Sequence, residues 1–151
     1  MKKNSSIDDF GFTRVSFFDF SEQNYLFSEK HSWVQTICKN VASGDLSSTC
    51  AIKLQFRKEQ ASFNEIIVTG TFEIEALFSR ECVVSLEHFL EPFLLTTHFI
   101  VVKNSDEVTL DYNGEREVYL FEENDKIDFY SMILEQVQVH LNPYPKIHHE
   151  N

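Results

Sequence analysis

Apolar and polar residues alternate along three stretches of this chain with the period of a half-buried strand. In residues 50–56, CAIKLQF, Cys50, Ile52, Leu54 and Phe56 face one way and Ala51, Lys53 and Gln55 the other. In residues 65–79, EIIVTGTFEIEALFS, Val68, Phe72, Ile74, Ala76 and Phe78 alternate with Thr69, Thr71, Glu73 and Glu75. Gly70 falls on the apolar parity, which marks a bulge or a close backbone approach. In residues 93–102, FLLTTHFIVV, Phe93, Leu95, Thr97, Phe99 and Val101 share a face. The last two stretches are expected to pair antiparallel through a wide connection, residues 81–91, in which Pro92 follows as a local restraint. Two shorter strands are expected in residues 10–20 and in REVYLF, residues 116–121, the latter after the hairpin-type turn Asn113-Gly114.

Two stretches carry the helical period instead. In residues 28–43, Trp33, Ile37 and Val41 form a stripe with Val34 and Cys38 beside it. Ser28 is placed to cap the first turn and Gly44 to end the helix. Trp33 reads as an anchor to the core and Cys38 as a small buried hydrophobe. In residues 125–141, Ile127, Tyr130, Ile133 or Leu134, Val137 and Leu141 form the apolar stripe, opposite Asp128, Ser131, Glu135 and Gln138. Asp125 is the expected cap, with Asp128 three residues on as a weak capping box, and Pro143 and Pro145 end the helix. The expected fold is α+β: an antiparallel sheet or partly open barrel with one helix in the N-terminal half and one at the C-terminal end. One domain spans residues 10–145, between a loose N-terminus, 1–9, and a loose tail, 146–151.

Composition sharpens this picture. A hydrophobic fraction of 42% in 151 residues supports a core without staples, and fifteen phenylalanines make that core aromatic. Twenty-four acidic residues against thirteen basic ones give a formal charge of -11, which repels phosphate backbones over most of the surface and favours a basic protein partner. Cys38, Cys50 and Cys82 make an odd set without a CxxC pair, so a reducing compartment is expected. No apolar run is long enough to span a membrane, and the opening MKKNSSIDDF has no apolar core to make it a secretory signal; the expectation is a soluble, cytoplasmic protein.

Candidate chemistry is sparse. Cys82 and His88 lie six positions apart, but a structural zinc site needs about four ligands and no second short-spaced pair accompanies them. His148 and His149 stand at the terminus. A cysteine nucleophile, Cys38 or Cys82, with one of six histidines would make a small Cys/His-dependent hydrolase. Glu73 and Glu75 share one face as a conceivable acid/base pair, although such pairs on strands are far more often plain solvated carboxylates. There is no GxSxG elbow, HExxH helix or nucleotide-binding glycine loop. No catalytic residue, metal, cofactor or small-molecule substrate is therefore expected. The one basic cluster is Lys53, Arg57 and Lys58, joined by Arg14 if the strands pair, with Phe12, Phe17 and Phe56 as aromatic neighbours; any nucleic-acid contact is expected there. Tyr144, held between two prolines, reads as an interaction anchor or as a residue packing the tail on the domain.

The segments GTFEIEALFSRECVVSLEHF and EENDKIDFYSMILEQVQVHLNPYPK together resemble the YceD (DUF177) family of bacteria and plastids, described as large ribosomal RNA subunit accumulation proteins, in the branch found in alphaproteobacteria. CVVSLE, from Cys82 to Glu87, is similar to the family's central CVVTLE motif. IDFYSMILEQ is similar to its acidic helix start, with Asp128 and Glu135 at the matching places, and LNPYPK to its ending, with Pro143, Tyr144 and Pro145 in register. Phe129 and Tyr130 stand where Leu-Gly often follows the helix-start aspartate. Many members carry a paired-cysteine form of the central motif; here only Cys82 remains, so no zinc site is carried over.

The resemblance implies a non-enzymatic role in 23S ribosomal RNA accumulation and large-subunit assembly. The charge directs the expected contact to a basic ribosomal or assembly protein, with ribosomal RNA reached directly or indirectly and no membrane involved. The alternatives are an interaction adaptor unconnected with ribosomes and the small hydrolase.

Overall fold

Unbroken alternation makes the three central strands long. β3 (Thr49–Gln60), β4 (Ile66–Glu81) and β5 (His88–Val102) form an antiparallel meander in this computed structural model, which describes residues 12–14, 18–60, 65–103 and 116–147, the side chain of Asn124 excepted. Their register lines up Ile52, Ile74 and Leu95 across the sheet, and Phe56, Gly70 and Phe99. Gly70 answers its expectation as a close approach. A Cβ there would lie 2.3 Å from the Gln55 carbonyl oxygen and 2.8 Å from side-chain atoms of Phe56 and Phe99.

β2 (Gln23–Ser28) adds antiparallel to the outer edge of β3, and β6 (Glu117–Leu120) adds parallel to β5. The sheet is therefore mixed rather than wholly antiparallel, in the order β2-β3-β4-β5-β6, and unclosed. A separate ribbon pairs β1 (Phe12–Arg14) with β7 (Lys126–Asp128). β2 escapes the sequence pattern because Tyr25, Leu26 and Phe27 are three apolar residues in a row. Phe27 is buried while Leu26 points outward and is 72% exposed. The Asn113-Gly114 turn, residues 1–9 and residues 148–151 lie outside the described residues.

Helices α1 (Ser32–Val41) and α2 (Phe129–His140) pack against each other; α1 also meets β2 and β3, and α2 meets β1 and β5. The fold is thus α+β. Trp33, Val34, Ile37, Cys38 and Val41 are buried, as the α1 stripe predicts, and the Trp33 ring stands edge-on to Phe27 at 5.1 Å. On α2 the buried side is Phe129, Met132, Ile133, Gln136 and Val137, with Tyr130 and Leu134 only half-buried. Phenylalanines dominate the core: Phe56 meets Phe18 at 5.1 Å and Phe129 at 5.3 Å, and Phe129 reaches Phe99 at 6.0 Å. Lys53, Glu73, Glu75 and Leu94 stand exposed on the opposite face of the sheet. Among the described residues no helix is long and apolar enough to cross a membrane.

Three expected helix signals are displaced. Ser28 does not cap α1, because its backbone is committed to pairing with Ala51; the cap position is His31, whose N–H donates to the Ser28 carbonyl. Gly44 does not end α1, whose cap is Ala42. It lies instead where the chain runs against β4, its N–H donating to the Ser79 carbonyl and its Cα leaving no room for a Cβ beside Ser79 and Arg80. Asp125 does not cap α2. It sits at φ +57° at the end of a short 3₁₀ turn, Glu123–Asp125, and β7 intervenes before the helix. The cap is Asp128, which accepts the Ser131 N–H at 3.0 Å and the Ser131 hydroxyl at 2.7 Å.

Candidate interaction site

The wide connection expected between the long strands is a tight turn. β4 continues to Glu81 and β5 starts at His88, leaving residues 82–87. The Cys82 N–H donates to the Glu87 carbonyl and the Leu86 N–H to the Cys82 carbonyl, both at 2.8 Å, with Leu86 at φ +64°. A backbone saturated by its own bonds turns side chains outward. Val83, Val84 and Leu86 are 48%, 73% and 65% exposed.

The C-terminal segment docks on this turn. The Val83 N–H donates to the Pro145 carbonyl at 2.9 Å, and Pro145 is buried. The Asn142 side-chain oxygen accepts the Tyr144 N–H at 2.9 Å, which shapes the bend that leaves the Tyr144 ring outside at 70% exposure. Residues Cys82 to Glu87 and Pro143 to Pro145, distant in sequence, thereby form one tip with Val83, Val84, Leu86 and Tyr144 as its apolar points.

Beneath the tip lies a buried cation. Arg80 is 5% exposed and spends its donors on three partners: the Glu91 carboxylate and the Asn142 carbonyl, each at 2.9 Å, and the Ser43 hydroxyl at 3.3 Å. The Ser43 hydroxyl also accepts the Glu81 N–H. Arg80 therefore ties β4, β5, the loop after α1 and the C-terminal segment at one point. Nothing in its sequence setting distinguishes it from a solvated arginine, and it was not among the expected site residues.

Cys82 is covered, at 3% exposure, yet it stands outside the main hydrophobic core. Its sulfur faces donors. Hydrogen bonds from the Ser85 side chain foremost, then from backbone N–H groups of Ser85, Ile147 and Val84, lower its pKa to about 6. The Ser85 N–H donates to this sulfur at 3.5 Å. His88 does not reach toward it. Instead the His88 ring pairs with Asp45 from the loop after α1, which raises the imidazole above its ordinary value and lowers the Asp45 carboxyl. Among the described residues no group of three or more His, Cys, Asp or Glu side chains could hold a metal ion.

Asp128 and Glu135 are not at this tip. With Glu122 they line a groove of about 320 Å³ between β6 and α2. Tyr119 stands in it, its hydroxyl accepting from Gln136 at 3.0 Å and pushed up in pKa mainly by burial. Glu87 is exposed at the tip, where its backbone closes the turn.

The basic residues do not converge on one stacking surface. Arg14 belongs to the β1–β7 ribbon, since β1 does not pair with β3. Lys53 and Arg57 lie on the outer face of β3, Arg57 with Glu59 at 3.8 Å, while the Lys58 ammonium lies over the Phe20 ring. Phe56 is buried in the core and Phe17 lies outside the described residues. Glu73 and Glu75 are plain exposed carboxylates, Glu73 opposite Lys53. Searches against protein-family models, curated proteins and solved structures find no match to this chain.

Proposed function

We propose that this chain is a non-enzymatic accessory protein that supports 23S ribosomal RNA accumulation and large ribosomal subunit assembly by holding a basic ribosomal or assembly protein at the tip. The observation that carries this reading is the pairing of an apolar exposed cluster, Val83, Val84, Leu86 and Tyr144, with a rigid base made by Arg80 and the Val83–Pro145 bond. An exposed tyrosine whose backbone is already fixed loses little entropy on binding and makes a good anchor. A charge of -11 selects for a basic partner and speeds its encounter. The likeness of Cys82–Glu87 and Pro143–Pro145 to YceD motifs supplies the ribosomal context. Any direct RNA contact falls to Lys53, Arg57 and Lys58, which do not share one surface of this acidic molecule.

The test is recovery of the tagged chain from its native cells, read for both RNA and protein, with and without nuclease. Large-subunit proteins retained after nuclease, and lost with Tyr144→Ala, are the expected result. Loss of every protein after nuclease overturns the protein-held reading. A single unrelated partner instead makes the chain an adaptor outside ribosome assembly.

A further inference from the structure

We infer that the β2 edge is a self-association surface, on which β2 of a second copy of this chain adds antiparallel and joins the two five-stranded sheets into one. β2 is the outermost strand beside β3, and the register shows which of its backbone groups face outward. The Cys50 N–H points toward the β2 side, where the Glu29 carboxylate accepts it at 2.9 Å. Backbone direction alternates along an antiparallel strand, so Ile52, Leu54 and Phe56 point the same way and exchange bonds with Phe27, Tyr25 and Gln23. Asn24, Leu26 and Ser28 therefore turn their N–H and carbonyl groups away from the sheet. Ser28, opposite Ala51, does so visibly: its N–H donates to His31 Nδ1 at 3.1 Å and its carbonyl accepts the His31 N–H at 2.9 Å. Among the described residues nothing does the same for the backbone groups of Asn24 and Leu26.

The occupant follows from the strand itself. β2, QNYLFS, holds no charge and no proline in its 6 residues, whereas strand edges that meet only water are ordinarily guarded by lysine, proline or a bulge. A neutral strand is also where two molecules of charge -11 can approach, since a two-fold axis sets like residues near one another. The outward groups are moreover self-complementary. With the axis at Tyr25, Asn24 of each copy lies opposite Leu26 of the other, and every outward N–H and carbonyl on both residues gains a partner. Leu26, 72% exposed, then lies beside the Asn24 side chain of the second copy and diagonal to its own counterpart. His31 limits the ladder by holding Ser28, so the contact is short and the dimer weak, in the micromolar range. This surface is independent of the proposed partner at the tip.

The experiment follows the full-length chain from low micromolar to millimolar concentration by analytical ultracentrifugation, with amide hydrogen exchange read by NMR at each concentration. The expected result is a reversible monomer–dimer equilibrium in which the Asn24 and Leu26 amides gain at least about tenfold protection in the dimer. Leu26→Lys keeps the backbone but sets a charge near its counterpart, and should raise the dimer Kd at least about tenfold. Leu26→Pro removes an outward N–H that β3 does not use, and should abolish the dimer while β3 keeps its protection. Tyr144→Ala, which tests the tip, should dimerise like the parent. Two results overturn the inference: a chain still monomeric at millimolar concentration, or a dimer whose Asn24 and Leu26 amides exchange as they do in the monomer. Protection of those amides only when a different protein is added gives the edge to that protein and likewise overturns the second-copy reading.

Discussion

The backbone N–H of Val83 and the carbonyl of Pro145 meet at 2.9 Å, joining the β4–β5 turn to the C-terminal segment. The burial of Pro145 and the Arg80 bond to the Asn142 carbonyl hold this segment on either side of Tyr144. Tyr144 is carried outward between these fixed points. Tyr144→Ala should therefore leave stability within about 0.5 kcal/mol of the parent by chemical denaturation. It should weaken capture of the basic partner at least about tenfold. Undiminished capture would remove the tip from the binding surface.

Arg80 is the support that allows this. Replacing it with methionine keeps much of the packing volume but leaves the largely buried Glu91 carboxylate and the Asn142 carbonyl without their donor. The loss is expected to be about 3–5 kcal/mol in a urea titration. The C-terminal segment should also become cleavable after Lys146. The double variant Arg80→Met, Glu91→Leu should recover part of the stability, since no charge is then stranded. A single variant as stable as the parent would mean that the pair carries no structural role.

Gly70→Ala tests the sheet register. The new methyl group would lie within 2.8 Å of Phe56 and Phe99 atoms and nearer still to the Gln55 oxygen. All three belong to the sheet or core and have little freedom to yield. A loss of about 1–3 kcal/mol is expected from overpacking alone. A neutral substitution would show that β3, β4 and β5 are spaced more widely at this row.

His88 and Asp45 give a pH signature at the base of the tip. The hydrogen bond to Asp45 is the main cause that raises His88 above 6.5, with the charges of Asp45 and Glu81 adding to it against desolvation. A raised histidine contributes stability that is complete below its unfolded value and disappears as pH climbs through the folded midpoint. The lowered Asp45 contributes above its ordinary 3.8 and is lost as pH falls through its folded midpoint. The clamp therefore works fully between about 4 and 6.5 and weakens above that window. An NMR titration should place the His88 midpoint above 6.5 in the parent and lower in Asp45→Asn. A parent midpoint at or below 6.5 would contradict the pairing.

Much of the fold was legible along the chain because alternation and helical spacing report burial locally. Ile52, Leu54, Val68, Phe72, Phe78 and Phe99 point to the core as their parity requires, and Trp33, Ile37 and Val41 as theirs requires. What failed were the boundaries. Ser28, Gly44 and Asp125 carry ordinary cap chemistry, but β2, the packing against β4 and β7 claimed those backbone groups first. The parallel placement of β6 had no local signal at all, since direction relative to β5 depends on the path between them. The site was divided in the same way. The sequence by itself determined an acidic, phenylalanine-rich α+β chain and marked Cys82, Glu87 and Tyr144 as residues to watch. Only the tertiary structure decided that Val83 meets Pro145 and that Arg80 is a buried tie. Those are contacts between segments far apart in the chain, and side-chain periodicity carries information about a residue's face, not about which distant residue will share it.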